Sequence, residues 1–327
     1  MDRRRVDRRP VDARPGYRSQ RRRHATTAAP ACVLAAVLAG SLGACSTASG
    51  TAPPGRAAIT VVAAENVWGS IARQLGGDKV SVTSIIASPG IDPHDYEPRA
   101  QDARAVASAD YVIVNGVGYD QWASKLAAAG GRDQLTLDVG DLVGVKAGGN
   151  PHRWYSPPDV QRVVDRISAD YQRLDPADAA YFADQKAAFE STGLARYHGL
   201  IADIRRRYLG TPVGASESVF APMAGALGLR LVTPEAFLDA ISEGTEPTAR
   251  DKATVDAQLK AGQVKVYVYN SQNSTPDVKA QVGLATAAGI PVTSVTETLA
   301  PATATFQDWQ AGQLERLSVA LATMKAA

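Results

Sequence analysis

Ser88-Pro89-Gly90-Ile91-Asp92-Pro93-His94-Asp95-Tyr96-Glu97-Pro98 is the stretch around which the rest of this chain is organised. Proline lacks the N–H that a helix or a strand ladder needs, so three prolines and a glycine in eleven residues present His94 on a stiff loop. Before it, Val80 to Ala87 reads as a strand, and after it a helical pattern begins near Ala100. The loop therefore sits at the carboxyl end of a strand in an α/β unit, where open sheets place their ligands. A second histidine, His152, also stands beside a proline, in Gly148-Gly149-Asn150-Pro151-His152-Arg153-Trp154. Two rare imidazoles on two rigid loops suggest a metal site.

Outward from these loops, strand and helix alternate. Ala58 to Ala64, Val80 to Ile86, Tyr111 to Val114 and Leu135 to Leu137 read as strands, with helices over Val67–Leu75, Ala100–Ala107 and Trp122–Ala128. That alternation implies a parallel sheet covered on both faces. Gly116 and Gly118 lack the third glycine of a dinucleotide loop, since position 121 is Gln, and are read as an ordinary βα turn. Residues 176–208 carry an apolar stripe, Leu194, Tyr197, Ile201, Ile204 and Tyr208, at helical spacing. A second series of strands follows: Val213–Ala215, Arg230–Val232, Val264–Tyr269 and Ile290–Val295, with a last helix over Phe306–Met324. The expected fold is thus α/β, with two similar lobes at 58–175 and 209–327, each a parallel sheet flanked by helices. One long helix at 176–208 joins them, and the metal site lies in the cleft between the lobes.

The amino-terminal segment has a different character. Residues 1–24 hold ten arginines against three aspartates, a net of +7, while the whole chain is +2, so the remainder is about −5. The basic charge belongs to a leader, and no nucleic-acid partner is expected. The run Thr26 to Ala44 is small, apolar and uncharged, and is followed by Cys45. It is short for a membrane span of about 20 residues. Residues 1–44 therefore resemble a bacterial lipoprotein signal peptide, with Cys45 as the lipidated residue and 45–57 as a flexible tether. The only other cysteine, Cys32, lies inside the leader, so disulfides and thiolate metal sites are excluded from the folded part.

Five motifs in order resemble one family. These are Asp92-Pro93-His94-Asp95-Tyr96-Glu97-Pro98, Asn150 to Trp154, Glu217 to Phe220 ahead of Ala226-Leu227-Gly228-Leu229, Thr245-Glu246-Pro247-Thr248, and Thr296-Glu297-Thr298-Leu299. They are similar to those of the zinc- and manganese-binding substrate-binding lipoproteins of ABC transporters, the group with one rigid helix between its lobes. The resemblance covers essentially the whole chain after the tether. It implies four metal ligands, two from each lobe: His94, His152, Glu217 and Glu297. Position 217 takes histidine in many zinc carriers and glutamate in many manganese carriers, and position 297 is usually aspartate. It further implies one divalent ion as cargo, an ABC permease with a cytoplasmic ATPase as partner, and a lipid-anchored place on the outer face of the cell membrane; one tether and one lobe pair suggest a monomer.

Two neutral imidazoles and two carboxylates neutralise a divalent charge and suit zinc or manganese, with iron behind both. The His- and acid-rich loop of some zinc carriers is absent between His94 and His152. The alternative weighed here is a metal-dependent hydrolase using the same two-His, two-carboxylate set. No His-Glu-x-x-His helix and no phosphate loop occurs in the sequence, so the chain is read as a carrier and not an enzyme.

Overall fold

A computed structural model of the chain describes residues 58–88, 90–91, 96–130, 133–273 and 275–324. The leader, Cys45, the tether and His94 lie outside the described residues. Elements alternate from the first strand onward: β1 Ile59–Glu65, α1 Asn66–Gly76, β2 Val80–Ile86, α2 Ala100–Ala107, β3 Tyr111–Val114, α3 Gln121–Ala128 and β4 Leu135–Asp138. Four helices follow, α4 Val139–Val143, α5 Pro157–Leu174, α6 Ala179–Ala188 and α7 Ala195–Tyr208. The second series is β5 Pro212–Ala215, α8 Ala221–Ala226, β6 Arg230–Leu231, α9 Glu235–Ser242, α10 Ala249–Lys260, β7 Val266–Asn270, α11 Pro276–Ala287, β8 Val292–Val295 and α12 Phe306–Thr323.

The two sheets repeat one topology. Their orders are β2-β1-β3-β4 and β6-β5-β7-β8, with every pairing parallel. Successive residues of a strand face opposite sides of the sheet, and here both sides are apolar. Val61, Ala63, Tyr111 and Ile113 enter the main core, whereas Val62, Ala64, Val112 and Val114 pack under α2 and α3. In the second sheet Val213, Ala215, Val266 and Val268 enter that same main core, and Tyr267 faces the cluster built with Val255, Leu259 and Val278. One continuous core therefore runs beneath both sheets, filled by residues of α1, α5, α7 and α12.

The expected helix over 176–208 changes its winding along its length. A 3-10 turn at Pro176–Asp178 leads into α6, a π turn occupies Phe189–Gly193, and α7 completes the run. The π turn closes with Leu194 N–H donating to Phe189 O at 2.8 Å. Its extra residue keeps Phe189 and Leu194, five apart, on the face that buries Phe182 and Tyr197. Ser156 holds the N-cap position of α5, with prolines beginning the helix, but its hydroxyl makes no capping bond; its backbone carbonyl accepts the Asp159 and Val160 N–H groups instead.

Polar bonds stitch the two halves. Asn66 Oδ1 accepts Leu299 N–H at 3.2 Å, Ser70 Oγ accepts Phe306 N–H at 2.9 Å, and Gln74 exchanges bonds with Gln307 at 2.6 and 3.1 Å. No helix among the described residues is long and apolar enough to cross a membrane.

Candidate metal site

His152 follows Pro151 and caps the 3-10 turn Arg153–Tyr155. The loop is held from all sides. Asn115 Nδ2 donates to Pro151 O at 2.9 Å, and Arg153 pairs with Asp159, its Nε lying 2.9 Å from Oδ2. From the second lobe, Gln310 Nε2 donates to Trp154 O at 3.1 Å, while Tyr155 hydroxyl lies 2.8 Å from Thr296 O and 2.9 Å from Gln313 Oε1. His152 and Trp154 are both fully buried. The imidazole packs edge-on against Trp154 and Tyr119, with ring centroids 5.5 and 5.9 Å away. Trp68 backs this wall, packing edge-on against Trp154 at 6.2 Å.

Asn150 fixes which ring nitrogen is presented. Its Nδ2 donates to Ser218 O at 2.7 Å, which leaves Oδ1 as an acceptor for His152 backbone N–H at 2.9 Å and His152 Nδ1 at 3.0 Å. A carboxamide oxygen cannot donate, so Nδ1 carries a proton and Nε2 is the nitrogen presented to the site. Nε2 faces Glu297 Oε2 at 3.7 Å. An imidazole nitrogen and a carboxylate oxygen are ligand types that a divalent cation takes, and an outer carbonyl orienting the imidazole is the usual accompaniment of a metal-ligating histidine.

Glu297 follows β8 and is 5% exposed. Asn270 Nδ2 donates to its Oε1 at 2.6 Å, and Tyr119 hydroxyl to its Oε2 at 2.9 Å. The Gln272 side-chain carbonyl receives Glu297 and Thr298 N–H at 2.6 and 3.0 Å, fixing the turn. Glu217 follows β5, is 1% exposed, and accepts from Asn273 Nδ2 at 3.2 Å. The structure thus brings His152 and Glu297 together and sets Glu217 at the same, carboxyl, side of the second sheet. Among the described residues no group of three His, Cys, Asp or Glu side chains is close enough to hold an ion, and His94 lies outside them. The sequence reading missed Tyr119, Asn150, Asn270 and Asn273, which orient the candidate ligands. Asn150 stands out in the sequence only as part of the His152 motif, Asn270 closes β7, and Tyr119 and Asn273 lie in irregular segments without periodic pattern.

A cavity of about 370 Å³ opens beside the pair, lined from the first half by Tyr119, Asn150 and Pro151 and from the second by Ser218, Leu238 and Asp239. Partial burial, then the neighbouring Glu235 and Glu243, raise the Asp239 carboxyl above its ordinary value, with His152 acting in the opposite sense. Burial, then the charge of Glu217, raises Tyr267 well above the usual phenol range.

A repeated parallel sheet on either side of a buried histidine–carboxylate pair defines a two-lobed α/β binding protein. The family of the periplasmic zinc-uptake complex component A, ZnuA, matches residues 61–320, and the chain belongs to that family. It is similar to the manganese-binding lipoprotein MntA of Halalkalibacterium halodurans, 30% identical over 152 residues, 43% of this chain and 48% of that protein. This alignment spans about half the length of MntA. A second relative is the metal ABC transporter substrate-binding lipoprotein ScbA of Streptococcus cristatus, 24% identical over 258 residues, 72% of this chain and 79% of that one. The iron-binding protein YfeA of Yersinia pestis is 27% identical over 187 residues, 53% of this chain and 58% of its own length. Among solved structures, a manganese-bound periplasmic metal-binding protein of Candidatus Liberibacter asiaticus superposes with a TM-score of 0.67 at 18% identity, over 80% of this chain and 99% of that one. A crystal structure of ZnuA gives 0.64 at 22% identity, over 81% and 97%. These two likenesses concern the fold.

Proposed function

We propose that this protein is an extracytoplasmic carrier that captures one divalent transition ion and hands it to an ABC permease driven by a cytoplasmic ATPase. The observation that carries the reading is the buried pair His152 Nε2 and Glu297 Oε2, 3.7 Å apart, with the imidazole tautomer set by Asn150. His94 and Glu217 complete the proposed ligand set. Family membership and relatives described as metal ABC transporter substrate-binding lipoproteins support the cargo class and the partner class. Zinc, manganese and iron all occur in the descriptions of the family or its members.

Cys45 is the proposed lipid anchor, with 1–44 as the signal peptide, 45–57 as the tether, lobes at 58–175 and 209–327, and 176–208 as the helical link. The carrier acts as a monomer. Imidazoles must be neutral to ligate, and a site that surrounds its ion with protein groups retains it until the permease is met. Native mass spectrometry of the protein with zinc and manganese tests this. One ion per chain is expected, with uptake lost in His152→Ala and weakened in Glu217→Ala and Glu297→Ala; undiminished uptake in all three would refute the site.

A further inference from the structure

We propose that Gln310, Gln313 and Thr293 hold one buried water molecule, and that this water completes the joint fastening the His152 loop to the Glu297 turn. The inference goes beyond the carrier reading and stands whether or not the chain binds metal. Gln310 and Gln313 lie three residues apart on α12, hence on one face of that helix. They are 1% and 4% exposed, and each uses one end of its amide on the joint. Gln310 Nε2 donates to Trp154 O at 3.1 Å. Gln313 Oε1 accepts Thr296 N–H at 2.8 Å and lies 2.9 Å from the Tyr155 hydroxyl. Those partners fix which way each amide points. A backbone carbonyl must face the NH2 group and a backbone N–H must face the oxygen, so neither side chain can be turned over.

The other end of each amide is thereby determined. Gln310 presents an oxygen to the interior and Gln313 presents an NH2 group. Neither atom meets a partner from the protein, and neither does the Thr293 hydroxyl on β8. All three residues line one cavity of about 10 Å³ that lies between β7, β8, α8 and α12, with Phe220, Met223, Val268 and Leu317 among its apolar walls. That volume is close to the least that admits a single water, about 10–15 Å³. Water also fits the three groups by chemistry. Its oxygen accepts from Gln313 Nε2, one hydrogen goes to Gln310 Oε1, and Thr293 Oγ1 accepts the other. Three bonds is the usual number for a buried water. The lining carries no charged side chain, so an ion would have no counter-charge there. An apolar occupant would leave three polar groups desolvated and unbonded.

Thr293→Val keeps the shape of the side chain and removes only the hydroxyl, and the sign of its effect on melting separates the alternatives. If the hydroxyl bonds a water, its loss should lower the melting temperature by about 2 °C or more. A hydroxyl buried without a partner is better replaced by a methyl group, so an unchanged or raised melting temperature would overturn the proposal. A high-resolution crystal structure of the wild-type protein should in turn show a water oxygen within about 3.2 Å of Gln310 Oε1, Gln313 Nε2 and Thr293 Oγ1. A cavity without density, or two amides bonded directly to each other, would overturn it equally. Both expected results are required.

Discussion

Glu65 and Glu217 occupy the same place in their two sheets. Val61 pairs with Tyr111 as Val213 pairs with Val266, and each glutamate lies four residues beyond its valine, at the junction of strand and helix. Both are 1% exposed. Their partners differ: Glu217 accepts from Asn273, while neither Glu65 oxygen meets a donor from the protein. Burial, then the adjacent Asp120 charge, raises Glu65 well above the carboxylate range, and burial raises Asp120 to about 6. Of the two, Glu65 lacks the donors that favour charge, whereas Asp120 is held by the Asn115 and Gly116 N–H groups.

That pair makes stability fall as pH rises. In the unfolded chain both carboxyls ionise near pH 4, whereas the folded chain holds protons through about pH 6 and above. Where the folded state binds more protons, stability declines with increasing pH. Glu65→Gln, which offers an amide donor in place of the acid proton, should flatten that decline by about 1 kcal/mol or more between pH 5 and 8. Urea unfolding at several pH values measures it, and parallel curves for the two proteins would contradict the raised Glu65 carboxyl.

Asn150 should matter for metal and little for folding. Replacing it with alanine frees the imidazole tautomer and removes the bond to Ser218. Loss of such an outer partner lowers metal affinity about 10- to 100-fold. Competition titration beside a melting curve distinguishes this from unfolding; full affinity in Asn150→Ala would remove the tautomer argument.

Metal affinity should weaken in acid. Ligation displaces protons from the imidazoles, whose ordinary value is about 6.5. Affinity is then constant above about pH 7 and falls by up to about a hundredfold per pH unit once both histidines are protonated. Calorimetric titration from pH 5 to 8 checks the slope, and a flat profile would exclude histidine ligands.

The lobes should move little on loading. One continuous core and the bonds of Asn66, Ser70 and Gln74 to the final segment oppose a wide hinge. Solution scattering with and without metal should give radii of gyration within about 1 Å; a large compaction would refute this.

Much of the fold is legible in the residues. β2, β3 and α2 begin and end where their β-branched runs and helical spacing stop; β3 is buried at all four positions, while β2 alternates buried and exposed residues along much of its length. Helices α4 and α9 were not anticipated. The first is five residues long, and the second carries Glu235 and Asp239, with Glu243 just past its end, on the side that lines the cavity. The two similar lobes are legible from the alternation of elements, and a residue-level match that the pattern reading passed over supports them: Ala63-x-Glu65-x-Val67-Trp68-x-x-Ile71-Ala72-x-x-Leu75-Gly76 recurs as Ala215-x-Glu217-x-Val219-Phe220-x-x-Met223-Ala224-x-x-Leu227-Gly228. Self-comparison would have paired the two glutamates before any coordinates. His152 and Glu297 could be named from motifs, but their approach depends on Tyr155, Gln313 and Asn270, whose hydrogen bonds span up to 158 positions of sequence.

The way Tyr155 grips Thr296 and Gln313 has a mechanical corollary. His152 belongs to the first half by sequence, yet its loop is fastened to the same turn that carries Glu297. Were the permease to pry the sheets apart, these two donors would travel as one jaw, and the ion would leave toward whichever side lets go first. Discharge would then fall to the remaining contacts, and reloading would start from a jaw that had kept its shape.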